Sequence, residues 1–190
     1  MPIFDNNPES RDRIDAAVGR ALYAFPYSAA LLLRIPLIAV PSVETMGVTA
    51  KGKLYYNPDF ALHGLERDDG TRMGLSLDEC ALILMHEALH LYFRHADRLG
   101  GRLHEVFNQA GDTEINVNLY RVKLKDGTIL NFPSWGWFPW SDKYPEDTPI
   151  DLTAEEYYDL LEKNDPKPPT PPPTERDPWQ PPEPPPDGET

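Results

Sequence analysis

One apolar segment, residues 77–97, constrains the fold of this chain more than any other feature. It is rich in Ala, Leu and Met, and it begins within the tetrapeptide Ser76-Leu77-Asp78-Glu79. That tetrapeptide has the pattern of a capping box, in which Ser76 and Glu79 satisfy backbone amides that the first turn of a helix leaves free. Gly100-Gly101 supplies the stop signal. The sequence therefore predicts a long core helix over about 77–97.

A second helical pattern occupies residues 8–34. Apolar side chains recur there at three- and four-residue spacing, at Ile14, Val18, Leu22 and Phe25. Pro26 has no amide hydrogen and clashes with a preceding helical turn, so we expect a break near Ala24–Phe25.

Three short β-prone runs come next, at residues 37–40, 45–49 and 53–56. Lys51-Gly52 predicts a hairpin turn between the last two runs, and Asn57-Pro58 ends the ribbon. With the helices on either side, these runs predict an α+β fold in which the long helix packs beside a small sheet.

The C-terminal part predicts two more helices and a tail. We expect a core helix over about 103–119 and, after the capping box Thr153-Ala154-Glu155-Glu156, a short helix to about Lys163. Twelve of the last 26 residues are proline. Such a composition cannot bury a core. The predicted organisation is one domain over residues 1–163 and a disordered, acidic, proline-rich tail over 164–190.

Charge and composition limit the classes of function. The net charge of −13 and the pI near 4.7 argue against binding to nucleic acid or to an anionic membrane surface. Residues 29–40 are the most apolar stretch, but Arg34 and Pro36 interrupt it and it is too short to span a bilayer. One cysteine, Cys80, lies in an apolar run and predicts a small core residue. No signal-peptide pattern is visible at the N-terminus, so we expect a cytoplasmic protein.

The chemistry of the chain is concentrated in His86-Glu87-Ala88-Leu89-His90, in the middle of the predicted long helix. Residues four apart share one helix face, so both imidazoles can bind a single zinc ion at about 2.0–2.1 Å. Glu87 lies about 100° round the helix, beside the metal. There it can take a proton from a water molecule that zinc activates and pass it to a leaving amine. The pattern predicts a catalytic zinc site with Glu87 as general base.

A catalytic zinc site needs a third protein ligand, which we expect from the helix over 103–119. Asn108, Asp112 and Asn116 follow one another at four-residue spacing, and such a polar line on a core helix predicts a polar neighbour. Asp112 is the favoured ligand, because an amide such as Asn108 is a poor one. Glu114 and His95 are the alternatives, and His95 is expected mainly as a helix-end residue that supports the site. Small residues at 110 and 111 would allow close approach to the neighbouring helix.

These motifs resemble a metallopeptidase-domain family of bacteria and phages that often precedes a von Willebrand A-like domain. The resemblance covers about residues 10–163 and is carried by residues 85–90, by His95 and Arg98, and by the segment 108–116. It implies a zincin-like fold and peptidase activity. In zincin folds a strand edge beside the active-site helix binds extended substrate, so residues 45–49 and 53–56 are both candidates for that edge.

The sequence therefore predicts a zinc-dependent metallopeptidase-type hydrolase of protein or peptide substrates. Zn²⁺ would be bound by His86, His90 and Asp112, with Glu87 as the catalytic residue. The alternative is a catalytically silent, zinc-containing binding module that works with a separate partner protein. The polyproline spacing of Pro168–Pro173 is a candidate contact for such a partner.

Overall fold

A computed structural model describes residues 8–65, Arg72, residues 74–120 and residues 137–164. The described chain is mixed α+β and mostly helical, with one three-stranded sheet. The helices are α1 (Pro8–Ala24), a 3₁₀ helix (Ala29–Leu33), α2 (Pro58–His63), α3 (Leu77–Tyr92), α4 (His95–Arg98), α5 (His104–Tyr120) and α6 (Ala154–Asn164). The strands are β1 (Leu37–Ala39), β2 (Met46–Val48) and β3 (Leu54–Tyr56). The chain divides into two compact units within helix α3, after Ala88.

The first unit begins with α1, which buries the predicted apolar face. Ile14, Ala17 and Ala21 are fully buried, and Val18 is nearly so. The helix ends at Ala24, two residues before Pro26, as the proline predicted. Arg20 on this helix forms a bidentate ion pair with Asp78 in the first turn of α3.

The sheet of the first unit has the order β1-β3-β2, with β1 parallel and β2 antiparallel to β3. The hairpin predicted at Lys51-Gly52 is present, and Gly52 takes a φ of 73° that residues with a side chain rarely adopt. Because β3 is the central strand, the expectation that residues 53–56 are a candidate free edge was wrong. Among the described strands, the edge of the hairpin is β2.

Helix α3 starts where its capping box predicts. The Glu79 side chain accepts from the Ser76 amide at 2.8 Å, and the Ser76 hydroxyl accepts from the Glu79 amide at 3.1 Å. Cys80 is buried, as expected of a core residue, and burial raises the pKa of its thiol to about 11. The predicted end near residue 97 was wrong. The helix stops at Tyr92 because Arg94 adopts a left-handed conformation (φ 57°), and the four-residue helix α4 follows in a new direction.

The second unit is organised by the packing of α5 against α6. One hydrophobic cluster of this unit contains eight buried residues, with partly buried leucines packed against it. The buried residues are Val106, Phe107, Ala110, Tyr144, Ala154, Tyr157, Tyr158 and Leu161. The second predicted capping box is also formed, with Glu156 accepting from the Thr153 amide at 2.8 Å.

The predicted tail over residues 164–190, with the candidate partner contact Pro168–Pro173, lies outside the described residues except for Asn164, the last residue of α6. Within the described ranges, no helix is long and apolar enough to cross a membrane.

Candidate metal centre

The two histidines of the central motif lie one turn apart on helix α3, which runs unbroken from Leu77 to Tyr92. His90 is buried, with 6% of its surface exposed, and His86 and Glu87 are half-buried. The residues that precede the motif, Cys80 to Met85, are all buried. The motif therefore begins where the buried run of the helix ends, and its first two residues, His86 and Glu87, are partly exposed to solvent.

Helix α5 brings a carboxylate to His90. The Nε2 atom of His90 lies 3.1 Å from Oδ1 of Asp112, whose side chain is 18% exposed. His86, His90 and Asp112 each offer one ligand atom, and these atoms all lie within 4.8 Å of one another. Two ligands of a tetrahedral zinc ion with bonds of 2.0–2.1 Å are about 3.3 Å apart. The distance of 3.1 Å between the His90 and Asp112 atoms is close to that value.

The chemistry of this donor group fits a divalent transition metal. Two imidazole nitrogens and one carboxylate oxygen are the ligand types that zinc and its first-row neighbours accept. A lone pair on His90 Nε2 and a carboxylate oxygen at 3.1 Å repel each other unless a proton or a cation lies between them. The residues present therefore fit a metal that binds His, His and Asp.

His95 lies on the opposite side of His90. The Nδ1 atoms of the two rings are 2.9 Å apart, and the rings meet edge to face. The Nε2 atom of His95 lies 3.0 Å from Oε2 of Glu114. Continued as a helix, α3 would have carried His95 off the face of His90. The left-handed Arg94 turns the chain so that His95, at 1% exposure, contacts His90 instead.

Glu114 is thus engaged with His95 and not with the three donor atoms. Its Oε2 atom also accepts from the Ala154 amide at 3.0 Å, in the first turn of α6, and lies 3.3 Å from Arg98 Nη1. The two alternative ligands, Glu114 and His95, are therefore hydrogen-bonded to each other on the Nδ1 side of His90. Sequence reasoning expected His95 as a supporting residue but missed its partner, because no local pattern links positions 95 and 114.

Gly111 explains how His95 can reach this position. A Cβ atom built on Gly111 would lie 2.8 Å from Nδ1 and 3.0 Å from Cε1 of His95. Real Cβ atoms are not found so close to another heavy atom, so only glycine leaves room for the ring. Small residues at 110 and 111 were expected to let the neighbouring helix approach; at Gly111 the space is instead occupied by the side chain of His95.

The other polar residues of α5 have different surroundings. Asn116 is buried, and its side-chain amide donates to the carbonyl of Trp137 at 2.9 Å. His104 is half-buried and lies outside the three-donor group. Of the polar line 108, 112 and 116, Asp112 contributes a donor to that group.

Arg98 links this region to α6 through two carboxylates. Its guanidinium hydrogen-bonds Glu155, with Nε to Oε1 at 2.8 Å, and approaches Glu114. Hydrogen bonding to Arg98 lowers the pKa of Glu155 to about 2. Because it bridges these two acids, Arg98 also has a raised pKa.

The family of the chain agrees with this geometry. Residues 9–180 match the model of a family described as a putative metallopeptidase domain, and the chain belongs to that family. The resemblance seen in the sequence is thereby confirmed. No curated protein and no solved structure matches the chain.

Proposed function

We propose that the chain is a zinc-dependent hydrolase of peptide bonds with a zincin-like active site. His86, His90 and Asp112 would bind the metal, and Glu87 would be the catalytic residue. The observation that carries the proposal is the convergence of three donor atoms within 4.8 Å around the helix that holds Glu87. Membership of a metallopeptidase-domain family supports the same reaction class.

Zinc, when bound, supplies a Lewis acid that polarises the scissile carbonyl and a water molecule. Three protein ligands leave a fourth tetrahedral position open, as catalytic zinc sites require. Asp112 adds a negative charge to two neutral imidazoles. The half-buried state of His86 leaves an approach for substrate, whereas the burial of His90 anchors the site in the protein.

Glu87 would move the protons of the reaction. It follows His86 directly in the helix and is half-buried, so its carboxylate can reach a water molecule next to the ligands without binding the metal. It would accept a proton from that water as the oxygen attacks the carbonyl carbon, and then donate it to the leaving nitrogen. A purely structural site would have no use for a carboxylate at this position.

Metal analysis tests the site. Purified protein should hold about one zinc per chain, and His90→Ala or His86→Ala should lose it. His63→Ala is a matched control, because His63 is an exposed histidine on α2. Stoichiometric zinc in both His86→Ala and His90→Ala would place the metal elsewhere.

A peptide library tests the reaction. The zinc-loaded protein is incubated with the library, and cleavage is detected by mass spectrometry. Glu87→Gln should keep its zinc and lower the rate about 10²–10⁴-fold, whereas Glu44→Gln, on an exposed turn, should leave it unchanged. Zinc binding without cleavage by the wild-type chain would contradict the hydrolase and favour a metal-stabilised binding module.

A further inference from the structure

We propose that His95 and Glu114 are positioning residues that hold His90 with its proton on Nδ1, so that Nε2 carries the lone pair that would bind the metal. This inference rests on the proposed metal site. It concerns three buried side chains in a row, joined by contacts of 2.9 Å between His90 and His95 and 3.0 Å between His95 and Glu114.

The direction of the hydrogen bonds is set at the Glu114 end. The Oε2 atom of Glu114 accepts from the Ala154 amide at 3.0 Å and lies 3.3 Å from Nη1 of Arg98, so this oxygen faces a donor in both directions. The start of α6 adds the positive end of its helix dipole. A charged carboxylate only accepts hydrogen bonds, so the atom that faces it, Nε2 of His95, must carry a proton.

In a neutral His95 ring, that proton decides the state of the other two nitrogens. A neutral His95 with its proton on Nε2 has a lone pair on Nδ1, which then accepts from His90 Nδ1. His90 accordingly has its proton on Nδ1 and a lone pair on Nε2, the atom that lies 3.1 Å from Asp112. The reverse arrangement would put a proton on the metal side of His90 and aim a lone pair of His95 at a carboxylate.

The surrounding backbone is adapted to this row of side chains. Arg94 takes a left-handed conformation and turns His95 back towards His90. Gly111 leaves the space that the His95 ring occupies, and a Cβ there would lie 2.8 Å from its Nδ1. A non-glycine residue with positive φ and a glycine inside a helix are both unfavourable locally. Both features are accounted for by the position of the His95 ring.

Two substitutions of His95 separate its two nitrogens. In His95→Asn the amide lies near the position of Nδ1 and can still accept from His90, whereas the contact with Glu114 is lost. In His95→Gln the amide reaches the position of Nε2 and can contact Glu114, but nothing replaces Nδ1. Both variants are uncharged amides, so they differ chiefly in which contact they keep.

The test measures the dissociation constant for zinc by competition with a chelator, and the visible spectrum of the Co²⁺-loaded protein. We expect His95→Gln to weaken zinc binding about 10–100-fold and to shift the Co²⁺ bands. His95→Asn should cost at most about 10-fold, no more than the loss of the Glu114 carboxylate, because it keeps an acceptor for His90. Equal affinities and unchanged spectra for both variants would overturn the proposal, because a merely structural role would affect folding and not the bound ion.

Nuclear magnetic resonance of the zinc-loaded wild-type chain gives a second readout that needs no variant. The ring proton of His90 should reside on Nδ1 and that of His95 on Nε2, in long-range ¹H–¹⁵N spectra of the imidazoles. A proton on His95 Nδ1 would refute the inference even if both variants fail to fold. Failure of the wild-type chain to bind zinc would overturn the proposed function and this inference together, whereas zinc binding with the opposite tautomers would overturn this inference alone.

Discussion

Two carboxylates of helix α5, Asp112 and Glu114, are separated by a single residue and have different surroundings. Glu114 faces a buried histidine, a guanidinium and the first amide of α6. Asp112 faces the Nε2 atom of His90 at 3.1 Å and its side chain is 18% exposed, against 11% for Glu114. The partners of Glu114 are hydrogen-bond donors and a cation of the protein itself. The contact of Asp112 with His90, in contrast, becomes favourable when a proton or a metal ion lies between the two atoms. Neighbouring acids on one helix can thus serve structure and metal binding separately.

Neutralising each acid gives the largest expected contrast. Asp112→Asn should weaken zinc binding about 100-fold or more, because an amide replaces a charged ligand. Glu114→Gln should lower the free energy of unfolding of the metal-free chain by about 1–3 kcal/mol, because Arg98 loses a buried partner. Its effect on zinc affinity should be smaller, about 10-fold.

Chelator competition and urea unfolding of the metal-free proteins measure the two quantities. Identical losses of affinity in both variants would remove the distinction between the two acids. Stability unaffected by Glu114→Gln would show that its contacts contribute little.

Gly111, the residue directly before Asp112, offers a change of intermediate size. Gly111→Ala should lower the free energy of unfolding by about 1–3 kcal/mol, since the new methyl group would collide with His95. The collision has to outweigh the better helix propensity of alanine, about 1 kcal/mol. Urea unfolding of the metal-free chain measures the net effect.

Gly19 is the matched control for this substitution. It lies on the exposed face of α1, and a Cβ there meets nothing within 4 Å. Gly19→Ala should therefore raise the free energy of unfolding, by about 0.5–1 kcal/mol. A similar gain in Gly111→Ala would show that His95 can move without cost.

The smallest expected effect concerns the pH dependence that Arg98 imposes through Glu155. Hydrogen bonding to Arg98 lowers the pKa of Glu155 from 4.5 to about 2 in the folded chain. A lowered pKa contributes stability that is present above pH 4.5 and is lost as the pH falls towards 2. Both side chains are partly exposed, so the contribution should be at most about 1 kcal/mol.

Glu155→Gln should therefore flatten the decline in stability of the metal-free chain between pH 4.5 and 2, as followed by urea unfolding at several pH values. Asp97→Asn is the control, because Asp97 pairs with Arg94 on the surface and both side chains are mostly exposed. An equally steep decline in Glu155→Gln would mean that other acids govern this range.

The elements that the sequence predicted well are those with local causes. The starts of α3 and α6 follow from two capping boxes, each of which lies within four consecutive residues. The end of α1 follows from Pro26, and the hairpin from Lys51-Gly52. The end of α3 was predicted five residues too late, because arginine has no preference for the left-handed conformation that Arg94 adopts.

The candidate site divides in the same way. In any α-helix, residues four apart such as His86 and His90 lie on the same face, and Glu87 lies beside that face. The sequence alone therefore determined these positions. Helical spacing also favoured Asp112, but it left Glu114 and His95 open as ligands. The tertiary structure brings Asp112 to Nε2 of His90 and places His95 and Glu114 on the opposite side of the ring. The contacts of His90 with Asp112 and of His95 with Glu114 join residues 19 or more positions apart. His90 and His95 are only five apart, but their contact depends on the turn at Arg94 and the space at Gly111, so no local pattern encodes it.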